Sequence, residues 1–186
     1  MSTVKYNTAL KRFSQLVSLN EVVFYFNDLA NLWGITNLNT LYTTLKRYTQ
    51  KGLLFRVHRG FYSIKPISQV NPYLLGIKAL HKYSYVSAES ILFDLGIINQ
   101  KTDYITLISS SSKRFTIVDN NYIVRQLKDD YLYNDAGIIQ KDGIRLATLE
   151  RAVADLLYFN PKYHFDADRL INWNKVKKLQ KIIGYK

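Results

Sequence analysis

A chain of 186 residues, 47% of them apolar, can close one large core or two small ones, which excludes a disordered polymer. Its 26 lysines and arginines against 14 acids leave a net charge of +12, which favours a polyanionic partner for part of the surface. The absence of cysteine excludes disulfides, thiolate catalysis and cysteine-based zinc sites and fits a reducing cytoplasm, while no apolar run approaches the ~20 residues that span a bilayer. The opening MSTVKYNTALKRF lacks the apolar centre of a signal peptide, so a soluble, cytoplasmic protein with no membrane partner is expected. The charge is uneven: residues 1–70 carry nine bases (Lys5, Lys11, Arg12, Lys46, Arg47, Lys51, Arg56, Arg59, Lys65) and two acids (Glu21, Asp28), a net of +7.

The first helix is expected from about Thr8 to Val17, where Leu10, Phe13, Leu16 and Val17 recur at helical spacing. EVVFYF reads as a mixture of strand and helix entry. Asn27 is the expected N-cap of a short helix from Asp28 to Trp33, with Gly34 as its stop. After a turn over Gly34 to Asn37, NTLYTTLKRYTQKG sets Leu41, Leu45 and Tyr48 on one stripe of a second helix. Asn39, Thr43, Lys46, Arg47 and Gln50 fall on the opposite side, with no acid among them. Gly52 ends that helix, and LLFRV, HRG and FYSI follow as strand, tight turn and strand. This is the order of a helix-turn-helix with a hairpin wing.

Pro66 and Pro72 bracket a linker. Beyond it a helix is expected over Tyr73 to His81, then a short one capped by Ser87 and closed by Gly96. YITLIS, RFTIV, YIVRQLK, GIIQ and IRLA read as strands, the last two joined by an Asp142-Gly143 turn. Thr148 caps TLERAVADLLYF, and a basic amphipathic helix is expected from about Ala167 to Ile183. The expected fold is therefore α+β: a winged helix-turn-helix over residues 1–68 and a mixed domain over residues 72–186, a short β-sheet with packed helices.

On an outward helical face Asn39 and Gln50 can pair with an adenine edge, Lys46 or Arg47 can reach guanine or phosphate, and Thr43 can contact a thymine methyl or a phosphate, with Thr40 a further DNA-binding candidate. Arg56 and Arg59 on the wing suit phosphates; His58 is either a contact or a turn residue. The other reading of this stretch is a three-helix cap with a solvated outer face. In SSSSKR, Ser109 to Arg114, the hydroxyls and cations can bind phosphate or form a loop between strands. Arg151 and Asp155 stand at i, i+4, as a surface pair or as a brace between helix and sheet. The terminal helix carries Arg169, Lys175, Lys177, Lys178, Lys181 and Lys186 opposite Leu170, Trp173, Val176, Leu179 and Ile183. It can be a packed helix with a solvated face, a second nucleic-acid contact or a membrane-surface helix. His58, His81 and His164 lie far apart, the eight glycines make no phosphate loop, and no serine sits in a nucleophile elbow. Neither catalysis, nor a metal, nor a cofactor is expected.

Four pieces in order, HRGFYSIKP (58–66), YVSAESILFDLGI (85–97), TLISSSSKRF (106–115) and GIRLATLERAVADLLYF (143–159), resemble the AbiEi-type family of antitoxins and transcriptional repressors. The resemblance implies a winged helix-turn-helix that represses its own operon by binding inverted repeats in double-stranded operator DNA, as a homodimer or as monomers binding cooperatively. It also implies a C-terminal domain that counteracts, directly or indirectly, an AbiEii-type nucleotidyltransferase toxin, in phage defence by abortive infection. The matching positions are Arg59, Gly60, Phe61 and Tyr62 in the wing, with Ser87, Thr148, Glu150, Arg151 and Asp155 in the antitoxin domain; Arg114, in the third piece, joins these as a candidate. Gly60 would serve the turn, and Phe61 with Tyr62 the packing of the wing. Many relatives continue further past the TLERAVADLL helix. The rival expectations are a winged-helix regulator whose C-terminal domain senses a small molecule, and an RNA-binding protein using the basic terminal helix.

Overall fold

The computed structural model describes the backbone of residues 2–185 and the side chains from Thr8 onward. Lys5 and Lys186, two of the cations named above, lie outside the described side chains. The chain is mixed α+β and divides into two compact units, Met1–Asn71 and Pro72–Lys186.

In the first unit α1 (Ser2–Ser18) leads to a short strand β1 (Val23–Tyr25), which passes without a loop into α2 (Phe26–Trp33). The expected N-cap at Asn27 is corrected. The helix begins two residues earlier, at Phe26 with Tyr25 as its N-cap, because Asp28 reaches back to accept the Tyr25 backbone N–H at 2.9 Å, and a carboxylate in the first turn also suits the helix dipole. Gly34 closes α2 at φ 60°, a left-handed conformation that costs a glycine little. Asn37 then caps α3 (Leu38–Gln50), its side-chain oxygen accepting from the Thr40 N–H at 3.1 Å. Leu41, Leu45 and Tyr48 of α3 are buried with Leu16, Phe24, Leu29, Trp33, Ile35, Leu54 and Tyr62 in one core. The Trp33 and Tyr48 rings meet there at 5.4 Å. β2 (Phe55–His58) and β3 (Phe61–Ser63) form a hairpin with a bulge between Arg56 and His58, and β3 lies between β1 and β2 in an antiparallel sheet. The Phe26 N–H donates to the Gly60 carbonyl at 2.8 Å, so the hairpin turn is tied to the start of α2.

The second unit is built on a six-stranded sheet of order β6-β7-β5-β4-β9-β8. In sequence it runs α4 (Pro72–Leu80), β4 (Ser84–Val86), α5 (Glu89–Asp94), β5 (Ile105–Ser109), β6 (Lys113–Ile117), β7 (Asn120–Gln126), α6 (Asp129–Leu132), β8 (Ile138–Lys141), β9 (Ile144–Ala147), α7 (Leu149–Phe159) and α8 (Trp173–Ile183). Three antiparallel pairs, β4 with β5, β6 with β7 and β8 with β9, are joined by the parallel pairs β5 with β7 and β4 with β9. The sheet is larger than expected because SYV, buried at all three residues, forms β4, one of its two central strands. Asp142 and Gly143 take φ 50° and 76°, the two positive values that a tight turn between β8 and β9 requires. Gly76 lets α4 lie on the sheet, since a side-chain carbon there would meet the Tyr122 ring at 2.4 Å.

Two further expectations are corrected. The helix expected from Ala167 to Ile183 is broken: a 3-10 turn at Asp168–Leu170 is followed by α8, which restarts where Asn172 accepts the Lys175 N–H at 3.1 Å. Ser87 does not cap α5, because its hydroxyl is committed to Asp155.

Candidate nucleic-acid interface

All the residues of α3 expected to face outward, Asn39, Thr40, Thr43, Lys46, Arg47 and Gln50, are exposed, as are Arg56, His58 and Arg59 on the hairpin. They fall into two groups. A concavity of about 780 Å³ opens between α3, the start of α2 and the β2–β3 hairpin, and Lys46, Arg56 and Arg59 bring three cations to its wall. Its remaining lining includes Phe26, Asn27, Tyr42 and Thr49. On the other flank of α3 a shallower depression of about 330 Å³ gathers Asn39, Thr40, Thr43 and Arg47. No carboxylate is among the described residues lining either. Together the two flanks give α3 and the hairpin a cationic and amide-bearing strip. His58 stands apart, its Nδ1 3.0 Å from the Arg59 carbonyl oxygen and its ring 5.2 Å from Phe61, as a turn residue would be.

The hydroxyls on this surface are largely spent locally. Thr43 donates to the Asn39 carbonyl at 2.8 Å, and Thr49 to the Leu45 and Lys46 carbonyls at 3.1 and 2.9 Å, so neither keeps a donor for a base edge. Phe26, Asn27, Tyr42 and Thr49 were not among the sequence candidates. The available signal was Tyr42, an aromatic four residues before Lys46 and off the buried stripe. Beside the concavity, burial followed by the nearby Asp28 carboxylate pushes the Tyr25 hydroxyl up to about 12. Burial also raises Tyr62, against the opposing charge of Arg56.

In the second unit the candidate residues part company. Ser87, Arg151 and Asp155 are fully buried and meet in one polar cluster. The Arg151 guanidinium donates to Asp155 Oδ1 at 2.9 Å, to the Tyr85 hydroxyl at 2.8 Å, and to the carbonyls of Tyr131, Asn134 and Ala136 at 3.2, 2.9 and 2.9 Å. Asp155 also accepts from the Ser87 hydroxyl at 2.7 Å and from Tyr185 at 2.5 Å. This corrects the surface-pair reading of Arg151 and Asp155: the pair braces α7 against β4 and the segment after α6. Thr148 caps α7 by accepting the Arg151 N–H at 3.3 Å. Glu150 stands 4.0 Å from the exposed Lys175, and Arg114 is exposed on the edge strand β6. The run SSSSKR is divided: Ser109 ends β5, where its hydroxyl donates to the Tyr83 carbonyl, while Lys113 and Arg114 begin β6. A second buried acid, Glu89, pairs with Arg125 and accepts from Thr106 at 3.0 Å. α8 packs inward through Val176 and Ile183 and leaves Lys175, Lys177, Lys178 and Lys181 exposed.

Burial works to strip the Arg151 proton, but Asp155, Tyr85 and Tyr185 around it more than offset that, and the guanidinium stays charged. Tyr85, Tyr122 and Tyr185 are all pushed above the ordinary value of 10.0, each chiefly by burial, with Asp155 adding to the effect at Tyr85 and Tyr185. Above about pH 10 the unfolded chain sheds these protons while the folded unit keeps them. The stability they confer is therefore complete below pH 10 and is lost as pH rises towards the folded values, by about 1.4 kcal/mol per pH unit for each buried hydroxyl. An alkaline titration followed by tyrosinate absorbance should show these groups ionising in one steep step together with unfolding; a gradual rise centred on pH 10 that accounts for all fifteen tyrosines with the fold intact would contradict their burial.

Among the described residues no helix is long and apolar enough to cross a membrane. No protein-family model matches the chain, and no curated protein matches it. Among solved structures it is similar to the crystal structure of the RV2827C protein from Mycobacterium tuberculosis. The TM-score is 0.57 over 94% of this chain and 71% of that one at 13% identity, a likeness of fold.

Proposed function

We propose that the first unit is a winged helix-turn-helix that grips duplex DNA, and that the chain is the antitoxin and autorepressor of a bacterial toxin–antitoxin pair whose toxin is an AbiEii-type nucleotidyltransferase. The observation that carries the DNA reading is the strip of exposed amides and cations, Asn39, Arg47, Lys46, Arg56 and Arg59, with no carboxylate among the described residues lining its two concavities. A 13-residue helix is about 20 Å long and 10–12 Å across with its side chains, and the B-DNA major groove is about 12 Å wide. With α3 in that groove, the hairpin reaches the adjacent backbone, where Arg56 and Arg59 meet phosphates and fix the register. Binding inverted repeats requires two copies of the first unit, as a dimer or as cooperating monomers.

The antitoxin part of the proposal draws on the four-piece resemblance. Within it, Ser87, Arg151 and Asp155 hold the second unit together rather than touch a partner, since none of them reaches the surface. Half-buried Glu150, exposed Arg114 and the exposed lysines of α8 are the residues left to meet one. The chain acts by binding, in the cytoplasm and without a cofactor, and is not an enzyme. The lysine face of α8 supports a second reading, RNA binding, and competition between operator duplex and structured RNA separates the two.

Expressed beside a reporter driven by the region upstream of its own gene, the chain should silence that reporter. Co-expressed with the nucleotidyltransferase gene expected next to its own, it should restore growth. An unrepressed reporter would refute the repressor half, and growth arrest in the presence of folded protein would refute the antitoxin half.

A further inference from the structure

Tyr42 is out of keeping with the polar surface around it. It lies on the hairpin side of α3, is 51% exposed, and has Leu38, 57% exposed, four residues earlier on the same stripe. Its ring is not loose. Phe26 lies against it at 4.6 Å between centroids, and Phe26 is itself tied through its N–H to the Gly60 carbonyl of the hairpin turn. The surface therefore holds a braced apolar platform between the cations of the concavity and the amide of Asn39. Beside it, Thr43 has spent its single donor on the Asn39 carbonyl and has none for a base edge.

The edges of bases in the major groove present hydrogen-bonding groups and one apolar group, the 5-methyl of thymine. A rigid ring set among Lys46, Arg56 and Arg59 is matched in chemistry to that methyl, with the cations on the phosphates to either side. Resting on the reading of the first unit as a duplex binder, we propose that Tyr42 is a specificity-determining residue that reads a thymine 5-methyl, with Phe26 as its positioning residue. This part of the recognition is apolar, so it carries base preference without a hydrogen bond and leaves the salt dependence to the cations.

The test uses the full chain and the duplex it enriches from a randomised pool. Each thymine of that duplex is replaced in turn by deoxyuridine, which removes the 5-methyl alone. One position in each half-site should lose about 4-fold in affinity for the wild-type chain, the worth of one buried methyl. Tyr42→Phe should keep that discrimination, and Tyr42→Ala should bind the thymine and uracil duplexes equally. Tyr42→Phe keeps the contact with Phe26 and should melt with the wild type, while Tyr42→Ala loses it and should melt some degrees lower but remain folded at the temperature of the binding assay, which a thermal scan checks. Discrimination that persists in Tyr42→Ala, or wild-type binding indifferent to every methyl, would overturn the proposal. So would a Tyr42→Ala variant that weakens on all duplexes alike, which would make the ring a backbone contact. A wild-type chain that enriches no duplex at all would instead overturn the operator reading on which this inference stands.

Discussion

Alanine at Lys46, Arg47 and Arg59 together should lower the affinity of the full chain for its operator duplex about 100-fold, taking on the order of 1 kcal/mol for each cation removed from the DNA. The three side chains are exposed on α3 and at the hairpin turn, so their removal takes nothing from the core, and the melting temperature should stay close to that of the wild type. Their charges are what duplex DNA would neutralise. Each phosphate neutralised adds about 0.9 to the slope of log affinity against log salt, so the triple variant should show a slope shallower by nearly three. Affinity and slope are both read from titrations at several salt concentrations. Equal affinity and equal slope in wild type and variant would mean that the strip is a solvated face. The same variant separates the two proposed activities, since it should fail to repress while still restoring growth.

Replacing Asp155 by alanine should destabilise the second unit by about 3–5 kcal/mol. The size follows from what remains behind. Arg151 is 0% exposed, so its charge would be left in the interior without a counter-charge, and the Ser87 and Tyr185 hydroxyls would be deprived of the oxygens to which they donate. The three backbone carbonyls around the guanidinium take three of its five hydrogens, but they do not replace the acceptor that its Nε–H would lose and do not balance its charge. Removing both charges at once, Arg151→Met with Asp155→Leu, should cost less than the two single changes added together, because no unpaired ion is then buried. Urea denaturation followed by the fluorescence of Trp173 in a Trp33→Phe background isolates the second unit, since the chain has two tryptophans, one in each unit. An Asp155→Ala variant as stable as the wild type would contradict the buried ion pair.

What the residues disclose before any coordinates depends on how local the determining physics is. The apolar period of α3, the positive-φ turn at Asp142-Gly143 and the threonine cap on TLERAVADLL are all settled within a few residues, and each appears in the structure near its expected place. β4 is different. Three residues, SYV, become the centre of a six-stranded sheet because β5 and β9 close on them from distant parts of the chain, and no alternation over three residues can announce that. The burial of Arg151 is equally non-local. A cation followed four residues later by an acid looks like a weak surface pair until Tyr85, Ser87 and Tyr185 converge on it. At the terminal helix, apolar residues at helical spacing run through Leu170 and Trp173, but Asn172 is a better cap than an interior residue, and α8 begins only after it. In the first unit the cations of the candidate interface are legible on α3 as a stripe without acids. Tyr42 was not, since its exposure and its packing on Phe26 depend on how α2 meets α3.

The central claim is that the α3 strip and its hairpin fit duplex DNA, and an anisotropy titration of the full chain tests it most directly. One labelled duplex carries the region upstream of the chain's own gene, and the other is a scrambled duplex of equal length and composition. Binding at least 1,000-fold tighter to the first at physiological salt, weakening steeply as salt rises, is the predicted result, roughly the lower end of what specific DNA-binding proteins achieve. Equal affinity for the two duplexes, or affinity indifferent to salt, would contradict it.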